Sequence, residues 1–349
     1  MAKPIRVLVV DDSPLIRQLL TSMLSEENTG IEVVGTAADP FIARDKIKQL
    51  RPDVITLDVE MPRMTGLQFL KNLMRLYPMP VVMVSSLTEQ GAPETLDALE
   101  LGAVDYIAKP QIKNEAAFKR FAKHLVEKIT IASTAKVRIL ETEKVQQRRS
   151  QVETVQSYHR WIAIGASTGG TEAIKEVLMT VPKHCPPIVI TQHIPAVFSR
   201  SFAMRLNHSL ELEVCEAENG LEVLPGRVII AEGDHHLEFI KQQGKTVCQL
   251  SASEPVNRHR PSVGVMFDSL RTVITPSKLV VVLLTGMGND GASALARLKQ
   301  EGASTLVQDE ASSVVWGMPG AAVAQGAVDE VVPLSEVARR MLSLAAVKQ

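Results

Sequence analysis

Aromatic residues make up only 4% of this 349-residue chain, and cysteine occurs just three times, at Cys185, Cys215 and Cys248. So few flat rings leave no stacking platform for single-stranded nucleic acid. An odd number of widely spaced cysteines, none in a Cys-x-x-Cys pattern, supports neither a disulfide framework nor a zinc site; buried, reduced thiols are expected. No apolar run approaches the ~20 residues that cross a bilayer; one of the longest is Leu279 to Leu284. Charge of one sign is also missing. With 38 Lys+Arg against 39 Asp+Glu the formal net charge is −1, which excludes binding of nucleic acid or anionic membranes through bulk charge. The opening stretch MAKPIRVLVVDD meets two carboxylates directly after its apolar run and has no small-residue cleavage pattern. It is expected to be a strand of a cytoplasmic protein and not a secretory signal.

What is present is ordinary globular composition, 45% hydrophobic and 22% charged, in a length that predicts about two domains. The first 130 residues alternate β-branched runs, at 7–10, 32–37, 54–58, 81–85 and 104–108, with helical patterns opened by Ser13-Pro14, Asp39-Pro40 and Pro93. This rhythm predicts βαβ units and a flavodoxin-like, five-stranded parallel sheet over 1–129. From Gln111 to Ile164 there is neither glycine nor proline, and the centre of that stretch is densely charged. Residues 130–158 therefore read as a semi-rigid, partly helical linker. The remainder, 159–349, begins WIAIGASTGG and continues with apolar runs at 188–192, 227–231, 279–285 and 304–308. HLEFI and TVCQL flank Gln242-Gln243-Gly244-Lys245. A doubly wound, mostly parallel α/β sheet with a β-hairpin is expected.

Ligands of open α/β sheets sit beyond the carboxyl ends of the strands, and the charged residues of the first domain fall there. Asp11 and Asp12 end the first strand, Asp58 the third, Ser85 the fourth and Lys109-Pro110 the fifth. Three crowded carboxylates repel unless a cation is bound, and Mg²⁺ is the natural occupant for Asp11, Asp12 and Asp58. Asp58 is then the expected nucleophile toward a phosphoryl donor, Lys109 a point charge for the phosphoryl oxygens, and Ser85 a hydroxyl donor to the new phosphate. Helix capping alone explains Asp12 or Ser13, but not the convergence of a lysine with three acids. The order DD…D…S…K, with Tyr106 three residues before Lys109, resembles the receiver domains of two-component response regulators over nearly all of residues 1–125.

Gly165-Ala166-Ser167-Thr168-Gly169 fits G-x-S-x-G, a strand-to-helix turn that exposes a serine above a sheet. The same glycines also suit a dinucleotide-binding helix or a plain tight turn, and on these residues alone the plain turn is favoured. Other strand ends change the balance. IVITQ delivers His193, and VVVLLTG delivers Met287-Gly288-Asn289-Asp290-Gly291. Serine, histidine and aspartate at three strand ends match nucleophile, general base and orienting carboxylate: Ser167, His193 and Asp290. The dinucleotide reading falls behind because no acid ends the second strand. Met287, through its N–H, and Thr168 are the candidate oxyanion or substrate contacts. His235 and His236 are expected in an exposed loop or strand pair. The basic run 257–261 divides evenly between an anion-binding loop and a solvated face. Trp161 and Trp316 read as core or cleft wall.

A receiver-like domain, a charged linker and the motifs GASTGG, TQHIP, NRHRPSV and LTGMGNDGA, in that order, together resemble the chemotaxis protein-glutamate methylesterase family. The resemblance implies hydrolysis of γ-glutamyl methyl esters on the cytoplasmic helices of chemoreceptors, with release of methanol and, in many members, deamidation of receptor glutamines. It implies Ser167, His193 and Asp290 as the triad, with no cofactor for the esterase. It also implies that a histidine kinase phosphorylates Asp58, with Mg²⁺ held by Asp11 and Asp12, and that the unphosphorylated receiver restrains the esterase cleft. No nucleic acid and no membrane insertion are expected. Thr65, Glu232, Gly264 and Gly320 depart from the family pattern. A competing reading keeps the phospho-switch and makes the second domain a non-catalytic receptor-binding regulator.

Overall fold

The structure, a computed structural model, describes residues 3–26, 28–85, 92–109, 114–137 and 157–346. The chain divides into two compact units, Met1–Glu141 and Thr142–Gln349.

In the first unit, β1 (Ile5–Val10), β2 (Ile31–Ala37), β3 (Val54–Asp58), β4 (Val81–Ser85) and β5 (Asp105–Ala108) form a parallel sheet in the order β2-β1-β3-β4-β5. β3 and β4 are buried at every position, as strands covered by helices on both faces must be. Helix starts follow the expected chemistry. The Ser13 hydroxyl accepts from the Ile16 N–H, and the Asp39 carboxylate from those of Phe41 and Ile42, each with proline next in the chain. The strand order reverses between β1 and β3, so a crevice opens where Asp11 and Asp58 emerge. The last helix of this unit, Glu115–Thr134, runs five residues past 129. Pro110 and the centre of the expected linker, 138–156, lie outside the described residues.

In the second unit, β6 (Trp161–Ala166), β7 (Ile188–Gln192), β8 (Glu213–Glu216) and β9 (Arg227–Ile230) precede a hairpin of β10 (His236–Gln242) and β11 (Lys245–Ser251). β12 (Leu279–Leu283), β13 (Ser304–Gln308) and β14 (Glu330–Val332) follow. Seven strands make one parallel sheet, ordered β14-β13-β12-β6-β7-β9-β8. The edge strands β8 and β14 were not expected: they are short and only partly buried, so neither carries a strong apolar signal. The hairpin turns on Gln243 and Gly244, at φ +51° and +80°, the mirror-image turn whose twist matches the strands.

Phe239 of the hairpin and Phe267 of helix Val263–Val273 are fully buried in the core over this sheet, each stabilising the unit by roughly 2–3 kcal/mol. A Cβ at Gly165 would lie 2.2 Å from Val263 Cγ1, so glycine at the end of β6 lets that helix begin directly on the strand. The order of this sheet reverses between β6 and β12. No helix among the described residues is long and apolar enough to cross a membrane.

Candidate functional site

β12, β6 and β7 are neighbours; Ser167 and His193 directly follow β6 and β7, and Asp290 lies in the loop that leaves β12. His193 Nδ1 lies 3.1 Å from Ser167 Oγ, and its Nε2 lies 2.9 Å from Asp290 Oδ2. A neutral imidazole donates Nε2–H to the carboxylate, which leaves the Nδ1 lone pair for the serine hydroxyl proton. Gly169, at φ +75°, turns the chain from the strand into helix Gly170–Leu178. The Ser167 carbonyl is fixed by Gly170 N–H at 2.7 Å and by Gln192 Nε2 at 2.9 Å. Ser167 thus sits on a rigid elbow.

Asp290 is 1% exposed. Its Oδ1 accepts from Asn257 Nδ2 (2.9 Å), Ser262 Oγ (2.9 Å) and Gly291 N–H (3.0 Å), and its Oδ2 from Val263 N–H (2.7 Å). Burial by itself raises a carboxyl pKa. Here His193, Asn257 and Ser262 outweigh it and hold Asp290 well below the usual carboxylate range. His236 contributes from beneath, and the expectation that it is exposed is corrected: it is fully buried. Its Nδ1 accepts from Ser262 N–H, and its Nε2 donates to the Glu254 carbonyl, each at 3.1 Å. His235, its neighbour, stays partly exposed.

Gly286 abuts the serine, since a Cβ there would lie 2.7 Å from Ser167 Cβ. The next amide, Met287 N–H, donates to no acceptor among the described residues, while the Met287 side chain is exposed. Thr168 is buried, its carbonyl accepting from Thr285 Oγ1 at 3.0 Å. The glycine loop is pinned from behind. Gly286 N–H donates to Val315 O at 3.0 Å, and Gly286 O accepts from Gly317 and Met318 N–H at 3.0 and 2.8 Å. Trp316 holds that backing segment through Nε1–H to Gln308 O at 3.1 Å.

Asn257, His259, Ser262 and Gln192 are supports that sequence reasoning missed. His259 is stacked on His193, with centroids 3.7 Å apart and planes at 10°. Part of the run 257–261 is thus neither an anion-binding loop nor a solvated face but packing for His193 and Asp290. NRHRP carried a signal of unusual composition, but nothing in it named the partner.

In the first unit, Asp11, Asp12 and Asp58 each offer a carboxylate oxygen within 4.8 Å of the others. Lys109 Nζ lies 2.8 Å from Asp58 Oδ2 and 3.5 Å from Asp11 Oδ2. Burial pushes the Asp58 carboxyl up to about 6 against the pull of Lys109, with the Asp11 charge adding to the rise. Asp11 is raised too, chiefly by burial. Burial disfavours the Lys109 ammonium, but Asp58 and Asp11 prevail and raise its pKa. Asp11 Oδ2 is buried and accepts no hydrogen bond, so the donor set fits a hard divalent cation. Ser85 is buried, its hydroxyl accepting from Thr95 Oγ1 at 2.9 Å. Tyr106 is buried with the Lys128 ammonium 5.5 Å over its ring.

Residues 162–341 match the profile of the CheB methylesterase family, and residues 7–119 match that of the response regulator receiver domain. The chain belongs to the CheB methylesterase family. Among relatives of this chain is protein-glutamate methylesterase/protein-glutamine glutaminase 1 of Xanthomonas euvesicatoria pv. vesicatoria (strain 85-10), 51% identical over 352 residues and 98% of each chain. The protein of the same name from Hahella chejuensis (strain KCTC 2396) is 52% identical over 345 residues, covering 96% of this chain and 95% of its own. The crystal structure of the CheB methylesterase catalytic domain of Thermotoga maritima superposes with a TM-score of 0.52 at 38% identity, covering 54% of this chain and all of that one.

The departures from the CheB methylesterase pattern have local accounts. Thr65 caps helix Gly66–Leu76, its hydroxyl accepting from Gln68 N–H at 3.3 Å. Gly264 occupies the first turn of its helix, where its N–H reaches Asp290 Oδ1 at 3.3 Å; a Cβ there would crowd the same oxygen at 3.2 Å. Glu232 pairs with His235 at 2.9 Å. Gly320 leaves room for the Trp316 ring, which a Cβ would meet at 3.0 Å.

Proposed function

We propose that this protein hydrolyses glutamate methyl esters on chemoreceptors, and deamidates receptor glutamines, through a Ser167–His193–Asp290 relay switched by phosphorylation of Asp58. The observation that carries the esterase reading is the continuous hydrogen-bonded path from Ser167 Oγ through His193 to Asp290 at three adjacent strand ends. The names of its relatives, protein-glutamate methylesterase/protein-glutamine glutaminase, support both substrates.

Ser167 Oγ attacks the ester carbonyl while its proton passes to His193 Nδ1. Asp290, accepting Nε2–H, stabilises the imidazolium. The oxyanion that forms is received by the Met287 N–H, with Thr168 beside it in the pocket wall. His193 then returns the proton to departing methanol, and water repeats the sequence to free the glutamate carboxylate and Ser167. For a glutamine substrate, ammonia leaves in place of methanol.

In the receiver unit, Asp11, Asp12 and Asp58 would hold Mg²⁺, which supplies charge neutralisation for phosphoryl transfer. Asp58 is the phosphoacceptor toward a histidine kinase, Lys109 neutralises the phosphoryl oxygens, and Ser85 and Tyr106 answer the new phosphate. The deciding experiment is methanol release from a methylated chemoreceptor cytoplasmic fragment, with and without Mg²⁺ plus acetyl phosphate. Release is expected to vanish in Ser167→Ala and to rise with phosphodonor in the wild type alone, not in Asp58→Asn. Phosphodonor-independent release removes the switch, and release that persists in Ser167→Ala removes the relay.

A further inference from the structure

His193 is held in the plane of its ring by two hydrogen bonds, to Ser167 and to Asp290. Both act through nitrogens at the ring edge, so they leave the ring free to rock about the line that joins them. The face of the ring is where His259 lies, 3.7 Å away and nearly parallel. A flat partner at that distance blocks the rocking that the edge bonds permit.

His259 is brought there by a four-residue turn. Val256 and His259 exchange both main-chain hydrogen bonds, at 3.1 and 2.9 Å, and the central pair, Asn257 and Arg258, have φ +51° and +70°. Left-handed backbone at a non-glycine residue is strained and persists only where the surroundings hold it. Asparagine is among the residues that tolerate it best. The second position of the same turn sends Asn257 Nδ2 to Asp290 Oδ1, at 2.9 Å. One turn therefore touches the base through its face and the orienting carboxylate through an oxygen that His193 does not use.

We infer that the Val256–His259 turn is a clamp on the catalytic relay, in which His259 and Asn257 are positioning residues: His259 fixes the ring plane of His193 by stacking, and Asn257 fixes the Asp290 carboxylate. The inference rests on Ser167, His193 and Asp290 acting as the relay. It requires of His259 a flat face and no proton.

The test uses the full chain, with initial rates of methanol release from the methylated receptor fragment across substrate concentration and pH. His259→Ala is expected to lower kcat about 10–100-fold, the scale of a misplaced catalytic group, with KM within about twofold of wild type. His259→Phe keeps a flat ring without a titrating nitrogen and is expected to restore kcat to within about threefold, with the wild-type pH profile. Asn257→Gly preserves the backbone freedom of the turn while removing the amide, and is expected to lower kcat without raising KM.

His259→Phe as slow as His259→Ala overturns the clamp, because the ring nitrogens and not the face then matter. So does His259→Ala at the wild-type rate, or a change confined to KM, which makes His259 a substrate contact. Should His259→Ala fail to fold, the rate of His259→Phe decides alone. These outcomes leave the relay intact when Ser167→Ala is inactive, whereas an active Ser167→Ala overturns relay and clamp together.

Discussion

Asp290 collects donors from His193, Asn257, Ser262, Val263 and Gly291 around one carboxylate. With so many, its charge is stabilised in the folded state and its pKa is depressed. The stability it contributes is present above the unfolded carboxyl pKa and is lost as pH falls through the lower folded value. Asp290→Asn removes the acceptor that fixes the His193 tautomer, and kcat is expected to fall about 10³–10⁴-fold, measured as methanol release with KM followed in parallel. Asp58 has the opposite sign. Its pKa is raised to about 6 by burial, so its contribution to stability is present below the unfolded value, near pH 4, and is lost as pH rises toward 6. In metal-free buffer Asp58→Asn is therefore expected to exceed wild type in stability at pH 7 by roughly 3 kcal/mol, and to lose that advantage near pH 4. Urea unfolding at the two pH values checks it; equal or lower stability at pH 7 contradicts it.

Among elements, the glycine loop after β12 depends on the segment behind it. A Cβ on Gly317 would lie 2.7 Å from Gly286 O, 2.9 Å from Gly288 N and 3.1 Å from Met287 Cα. All three are backbone atoms, so relief requires the loop itself to move. Gly317→Ala is expected to lower kcat at least about tenfold, toward the loss seen when an oxyanion donor is removed, while the first unit unfolds as in wild type. A rise in KM with no change in kcat would show that the loop serves binding instead. Gly66 plays the matching part in the first unit, since its Cβ would lie 1.9 Å from Asp58 O; the loop after Asp58 can close only over glycine.

At the scale of the molecule, Ser167, His193, Asp290 and their described supports all lie within Thr142–Gln349, while the carboxylate cluster and Lys109 lie within Met1–Glu141. Each of these described sets of residues lies within one unit. A chain reduced to residues 157–349 is expected to keep Ser167-dependent methanol release and to lose all response to Mg²⁺ plus acetyl phosphate. The readout is the rate ratio with and without phosphodonor, expected above 1 only in the full chain. A truncated chain that still responds would place the switch outside the receiver.

The sequence by itself determined the two parallel sheets, because β-branched runs separated by helix caps admit little else. It also determined which residues end the strands: Asp58 and Lys109 in one unit, Ser167, His193 and Asp290 in the other. Those were legible because α/β sheets deliver the residues at their strand ends to one edge, so position along the chain already implies proximity. β8 and β14 were not legible, being short edge strands with one buried residue each. Nor was the burial of His236, which a strand-pair rule placed outside and which lies beneath Ser262. Only the tertiary structure decided that Nδ1 of His193 faces serine and Nε2 faces aspartate, and that His259 lies on the ring. Those facts depend on how helix Val263–Val273 and the turn before it pack across the sheet. That packing joins residues some 30 to 100 positions apart, and no local pattern encodes contacts of that range.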